Sequence, residues 1–364
     1  MAWPHAGLAS SPHNLHRSAT PLPPSPLLLW FTSSCCASYL PWLPYIFSTS
    51  VVMAGKIPPK VVVVGSCVTD LTSNAPRLPQ PGETLLGHKF TVGFGGKGAN
   101  QCVAAARLGA TTAMVAMVGD DSFGQNYLKN FKEYGVDTSL VGVTKEAATG
   151  IASIVVDDAG ENCIVTVAGA NMKMTSSAVE QAEDVIQGAS VMVCQAEITP
   201  AATLTALRLA QKHKVKTVMN AAPVGLSLDP AIIELSDIFC VNESEAEAQT
   251  NLKVKTVKDA EQAAEALLQR GSSSVIITLG GEGAVYSTAK GHTHITTEKV
   301  TPVDTTGAGD AFVGALAYYL AYHPQLTMAE MLQRSCQVAT RSVLSPGTQS
   351  SYPTRDQLPA HLFS

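Results

Sequence analysis

The chain is expected to fold as an α/β protein, a mostly parallel central sheet covered by helices on both faces with a small second β-sheet beside it. Three features lead to this expectation. Short β-branched runs recur between segments of helical period. The runs are apolar throughout, as strands buried on both faces are. Two stretches that do alternate apolar with polar residues stand outside the series and suit a separate, half-exposed sheet.

The first buried run is 61–64, four valines, and it is followed by 114–118, 191–194, 217–220, 238–241 and 275–279. Segments of helical period lie between them at 98–108, 123–134, 176–187, 200–213 and 257–270. In the first of these, Cys102, Ala105, Ala106 and Gly109 share one face at the i, i+3, i+4, i+7 spacing. Repeated strand–helix alternation implies parallel pairing with crossovers. Residues 85–92 alternate like an exposed strand. Residues 151–156 and 163–168 flank Asp157-Asp158-Ala159-Gly160, a hairpin signal, and these antiparallel pieces are expected to form the small second sheet beside the main one.

Composition excludes several classes. The 364 residues are 46% hydrophobic and 15% charged, which supports a sizeable core and argues against a disordered, collagenous or coiled-coil chain. A net charge of −5 gives no basic surface for nucleic acid. The eight cysteines form no C-x-x-C pair and mostly sit in apolar runs, as reduced core thiols do. The first 52 residues differ from the rest: they hold all three tryptophans, eight of the 21 prolines and a single charge, Arg17. Serines and prolines interrupt the apolar stretch at 27–47, so it does not suit a membrane helix. Residues 1–52 are expected to be an uncharged, disordered leader, with a second start at Met53 and one domain over 53–364.

Four motifs carry possible chemistry. Gly93-Phe94-Gly95-Gly96-Lys97-Gly98-Ala99-Asn100 contains G-x-G-x-x-G but follows a polar strand, unlike a dinucleotide fingerprint, and Gly98 stands where a Walker A loop needs Ser or Thr. It is either a glycine turn before a helix, or a site where backbone, Lys97 and Asn100 approach a small polyhydroxylated ligand. Asp304-Thr305-Thr306-Gly307-Ala308-Gly309-Asp310 precedes an apolar helix. Free amides of Gly307, Ala308 and Gly309 at that N-terminus suit an anion. Asp310 either stabilises the helix end or takes a proton from a hydroxyl while the amides hold a transferring phosphate. Asn242-Glu243-Ser244-Glu245 follows a buried strand, where Asn242 and Glu245 either start a helix or order Mg²⁺ through water. Thr278, Leu279, Gly280, Gly281, Glu282 and Gly283 form a turn at another strand end, open to a nucleotide.

These residues closely resemble the ribokinase (PfkB) family of carbohydrate kinases. Both of its defining strings are present, Gly95 through Gly109 and Asp304 through Leu316, and the similarity runs over about 60–353. Animal ribokinases are the most similar branch, on Gly65-Ser66-Cys67-Val68-Thr69-Asp70, Pro81-Gly82-Glu83-Thr84 and Ala168-Gly169-Ala170-Asn171. The resemblance implies a three-layer α/β sandwich with a small β-sheet lid, its pieces near 70–96 and 147–170, and ATP-dependent phosphorylation of D-ribose at O5. Asp70, Gly96, Lys97, Asn100 and Glu197 would hold the sugar, Asp310 would be the base, and the amides of 307–309 the anion hole. Asn242, the loop at 278–283, Gly309 and Cys336 would contact ATP, with Glu245 in the Mg²⁺ network. An activating K⁺ would lie among Asp304, Thr306, Ser342, Ser345, Gly347 and Ser351. The family also implies a homodimer through the lid, in the cytoplasm and also the nucleus, with no membrane partner. Three positions depart from the family pattern and bear on nucleotide affinity: Ala221 within Asn220-Ala221-Ala222-Pro223, Cys336, and Arg341 in an apolar helix. Two alternatives remain, a sister kinase for fructose or adenosine and a non-catalytic sugar-binding relative.

Overall fold

The computed structural model describes residues 60–224 and 228–364, so the expectation for residues 1–52 lies outside the described residues. In chain order the strands are β1 Val61–Val64, β2 Val68–Ala75, β3 Lys89–Gly95, β4 Thr112–Gly119, β5 Asp137–Thr144, β6 Gly150–Asp157, β7 Asn162–Val167, β8 Val191–Gln195, β9 Lys216–Asn220, β10 Ile238–Asn242, β11 Ser274–Thr278, β12 Ala284–Thr288 and β13 Gly291–Ile295. The helices are α1 Lys97–Arg107, α2 Ser122–Glu133, α3 Ser176–Glu180, α4 Glu183–Gln187, α5 Pro200–His213, α6 Pro230–Glu234, α7 Glu243–Thr250, α8 Val257–Leu268, α9 Ala308–Tyr322 and α10 Met328–Ser342.

Nine strands form the large sheet in the order β13-β12-β11-β10-β9-β8-β1-β4-β5. Its pairs are parallel from β11 to β5, and β12 and β13 add an antiparallel edge. The four valines of β1 show why both faces are covered: Val61 and Val63 face a core shared with α1, α9 and α10, and Val62 and Val64 face one shared with α5 and α8. Burying each such side chain stabilises the fold by roughly 1.5–3 kcal/mol. Helix starts are set by side chains: Thr199 caps α5 ahead of Pro200, Asp121 caps α2, and Thr256 and Thr327 form capping boxes with Asp259 and Glu330.

The small sheet has the order β3-β2-β6-β7. β2 and β3 interrupt the connection from β1 to α1, and β6 and β7 leave from the end of β5, so both insertions rise from the C-terminal end of the parallel sheet, where α/β folds bind ligands. Several expectations need correction. β2 and β6 pair in parallel, so the lid sheet is mixed rather than purely antiparallel. The outer strand begins at Lys89 instead of 85, and 176–187 is two short helices rather than one. β2, β5 and the β12–β13 hairpin escaped the pattern, because their polar residues face solvent or the site and hide the apolar run. Among the described residues, no helix is long and apolar enough to cross a membrane.

Candidate active site

Two glycines decide how the site is built. Gly98 lies against the turn after β1, where a Cβ would come 2.5 Å from the Ser66 amide nitrogen. Gly314 lies where α9 crosses α1, where a Cβ would come 2.5 Å from Ala104 Cβ and 2.6 Å from the Gln101 carbonyl oxygen. Only glycine permits both approaches, and together they bring the start of α1 beside the start of α9.

At that junction Asp310 is 6% exposed. Asn100 Nδ2 donates to its Oδ2 and Gln101 Nε2 to its Oδ1, each at 2.9 Å. Glu197, just past β8, accepts from the Lys97 amide at 2.9 Å and from Ser66 Oγ at 2.5 Å through one oxygen. Asp70 projects from β2 against Gly95, where any Cβ would clash with its carboxylate. Gly96, with φ 85°, turns the chain into α1.

The charges are strongly coupled. Burial, then Glu197 and Asp310, push the Asp70 carboxyl up to about 6. Burial pushes the Lys97 ammonium down, but Asp310, Glu197 and Glu245 outweigh it and its proton is held above the usual lysine range. Burial also raises the Glu245 carboxyl, against the opposing Asn242 amide and Lys97. One ammonium among four carboxylates makes a site rich in hydroxyl acceptors, suited to a neutral polyol.

Asp310, Lys97, Glu245 and Gly307 line a pocket of about 150 Å³. It adjoins a cleft of about 470 Å³ lined by Gly280, Gly281, Glu282, Gly283, Ala308, Phe312 and Cys336, and Asn242, Thr278 and Gly309 line both. Leu279 is the exception in its loop: it turns into the core at 8% exposure instead of lining the cleft. Gly307 adopts φ 76° at the start of α9, but the Ala308 amide donates back to the Thr305 carbonyl at 3.2 Å, so the expected trio of anion-binding amides is partly used internally. A Cβ on Gly309 would meet nothing within 4 Å, so packing does not demand glycine there. Gly309→Ala is expected to keep or slightly raise the melting temperature, since alanine favours a helix by roughly 0.5–1 kcal/mol, and to lower turnover at least about tenfold by filling the opening between the two cavities. Normal turnover in that variant would contradict the role assigned to the opening.

Of the other expected positions, Asp304, Thr306 and Gly347 are joined directly. Asp304 accepts from the Thr306 and Gly347 amides at 2.9 and 2.8 Å. The Ser342 hydroxyl bonds its own helix at Ala339, the Ser345 amide bonds the Ser342 carbonyl, and Ser351 Oγ bonds the Thr348 carbonyl. Cys336 lies at the cleft at 5% exposure. Arg341 is exposed and does not line the cleft. Sequence reasoning gave no role to Ser66, Gln101, Tyr127, Asn220 or Gln349. Ser66, Gln101 and Asn220 stand within the motifs, but their roles depend on contacts between distant segments.

The model of the pfkB family carbohydrate kinases matches residues 58–355. The chain belongs to this family. Mouse ribokinase is 54% identical over 305 residues, covering 83% of this chain and 94% of the relative. The deoxyribokinase of Salmonella typhi is 34% identical over 302 residues, covering 83% and 98%. Among solved structures, Arabidopsis thaliana ribokinase complexed with ribose and ATP is 27% identical with a TM-score of 0.77, covering 82% of this chain and 97% of that one. The pfkB-family fold accounts for the large mostly parallel sheet, the small lid sheet and a phosphotransferase site with an alcohol acceptor.

Proposed function

We propose that the chain transfers the γ-phosphoryl group of ATP to O5 of D-ribose, giving ribose 5-phosphate and ADP. The observation that carries this is the nucleotide-sized cleft opening at Gly309 onto the pocket that holds Asp310. The sugar lies among Asp70, Gly96, Lys97, Asn100 and Glu197, its hydroxyls donating to the carboxylates. Asp310 takes the proton of O5 as that oxygen attacks phosphorus, and ADP leaves in line. The amides of Gly307 and Gly309, with Lys97, face the charge that develops on the transferring group. The names of the mouse and Arabidopsis relatives support ribose over fructose or adenosine.

Two ions suit the residues present. Among the described residues no cluster of three or more His, Cys, Asp or Glu is placed to hold a metal. Glu245 accepts from the Asn242 amide through one oxygen at 2.9 Å in a reciprocal cap, and it lines the pocket. That fits Mg²⁺ held chiefly by phosphates and water, which Glu245 would help to order and which would neutralise phosphate charge. The loop pair carrying Asp304, Thr306, Ser342, Ser345, Gly347 and Ser351 offers one carboxylate and several carbonyls for K⁺ beside the start of α9. Bound there, K⁺ would supply positive charge next to the amides.

The lid edges support a homodimer. Phe90 and Val92 on β3, and Ile164, Val165 and Val167 on β7, are all more than half exposed on unpaired edge strands. A sedimentation mass of one chain would contradict the dimer. Of the six described cysteines all are free and five are buried, which supports a reducing compartment such as the cytoplasm or nucleus.

The test is an ADP-release assay with ribose, 2-deoxyribose, fructose and adenosine, with and without K⁺. Ribose is expected to give the highest kcat/KM and K⁺ to raise it. A higher value for fructose or adenosine would replace the substrate assignment, and sugar binding without ADP release would make the chain a binding protein.

A further inference from the structure

We propose that Gln101 is a positioning residue for Asp310, the link through which two chains of buried amides aim that carboxylate at the acceptor hydroxyl. This rests on the reading of Asp310 as the base.

One chain runs from Gln195 through Gln101. Gln195 Nε2 donates to Gln101 Oε1 at 2.7 Å, and Gln101 Nε2 donates onward to Asp310 Oδ1 at 2.9 Å. The other runs from Asn130 through Gln349 and Asn100. Asn130 Nδ2 donates to Gln349 Oε1 at 2.8 Å, Gln349 Nε2 to Asn100 Oδ1 at 3.0 Å, and Asn100 Nδ2 to Asp310 Oδ2 at 2.9 Å. Each amide on the two chains is at most 6% exposed. In both chains each linking N–H donates in the direction of the carboxylate, so each bond polarises the next.

The direction of the Gln101 amide is forced by its neighbours. Its second N–H meets Asn220 Oδ1 at 2.9 Å, and Asn220 is itself fixed because its Nδ2 donates to the Cys240 carbonyl at 3.1 Å. A flipped Gln101 would set oxygen against both Asp310 and Asn220. The result is a carboxylate with one donor on each oxygen and its remaining lone pairs left for the pocket. Both donors are in place before substrate arrives.

The experiment measures kcat, both KM values and the pH profile of kcat for Gln101→Leu, Gln101→Glu and Gln195→Met, with Asp310→Asn in parallel and melting curves for all. Gln101→Leu is expected to lower kcat about tenfold to hundredfold, the effect of one lost hydrogen bond to a charged group, while both KM values stay within about threefold. Gln195→Met, which only frees the far end of Gln101, is expected to give a smaller kcat loss of the same kind. Gln101→Glu serves as its own control. Its carboxyl can donate to Asp310 only when protonated, so its rate relative to the parent enzyme falls at least about tenfold from pH 5.5 to 8.5, unlike that of Gln101→Leu. If Gln101→Leu does not fold, the other two variants carry the result.

Parent-like kcat in Gln101→Leu overturns the proposal. So do losses in KM and melting temperature with no change in the pH dependence of Gln101→Glu relative to Gln101→Leu. The two failures separate: an active Asp310→Asn enzyme removes the base itself, whereas an inactive one beside a normal Gln101→Leu removes only the positioning role.

Discussion

Asp310→Asn is expected to lower kcat for ribose phosphorylation by about a thousandfold or more while leaving the fold intact. A positioned base contributes roughly 10²–10⁴ in rate, and the asparagine is a close isostere with no proton-accepting carboxylate. The change also has a structural signature. Asn100 and Gln101 both offer N–H groups to the carboxylate. An asparagine amide must turn its own NH₂ toward one of them, leaving a buried donor unpaired at about 1–3 kcal/mol. Lys97 loses one of the three carboxylates that hold its proton. A modest fall in melting temperature should therefore accompany a near-total loss of turnover, with ATP binding by calorimetry retained. A kcat within tenfold of the parent enzyme would show that the proton leaves by another route.

Asp70→Asn is expected to raise the KM for ribose about a hundredfold or more, since a carboxylate accepting two sugar hydroxyls loses hydrogen bonds of roughly 1.5–3 kcal/mol each. Its pH behaviour is just as specific. In the free enzyme Asp70 titrates at about 6 against an ordinary 3.8, because burial and then Glu197 and Asp310 disfavour its charge. Between about pH 4 and 6 the folded chain therefore holds a proton that the unfolded chain has released, and stability falls as pH rises through that window. Above it the cost is present in full, about 2–3 kcal/mol for a shift of this size. Removing the charge should raise the melting temperature of the ligand-free protein at pH 8 and make no such difference near pH 4. Over the same window, kcat/KM for ribose in the parent enzyme should fall as pH drops through about 6, and this limb should vanish in Asp70→Asn. A variant that binds ribose normally, or melts lower at pH 8, would remove Asp70 from the sugar site.

The layered fold was legible because its signal is local. Four consecutive valines in β1, buried on both faces, look the same in the sequence as in the structure. The start of α5 was equally plain, with Thr199 and Pro200 marking it. The apolar pattern did not mark β2, because Asp70, Thr72, Ser73 and Asn74 interrupt it. The parallel pairing of β2 with β6 was hidden as well, since it joins segments about eighty residues apart. The site residues with charges or glycine turns could be picked out in the chain, and Asp310, Lys97 and Gly309 do meet around one pocket. The amides that support them could not. Gln349 and Asn130 reach Asn100 only because the C-terminal segment folds back over α1 and α2, and a lone Gln or Asn carries no local sign of such a partner. Leu279 shows the opposite error: it sits inside a nucleotide-facing loop, yet its apolar side chain turns inward to the core.

The central claim is phosphoryl transfer from ATP to O5 of ribose at Asp310, and product identification tests it most directly. The protein is incubated with ATP, Mg²⁺, K⁺ and D-ribose, and the product is read by ³¹P–¹H correlation NMR. The account predicts one new phosphate monoester coupled to the C5 protons of ribose, formed in step with ADP and absent with Asp310→Asn. Phosphate on another ribose oxygen, or ADP formed without a sugar ester, would contradict it.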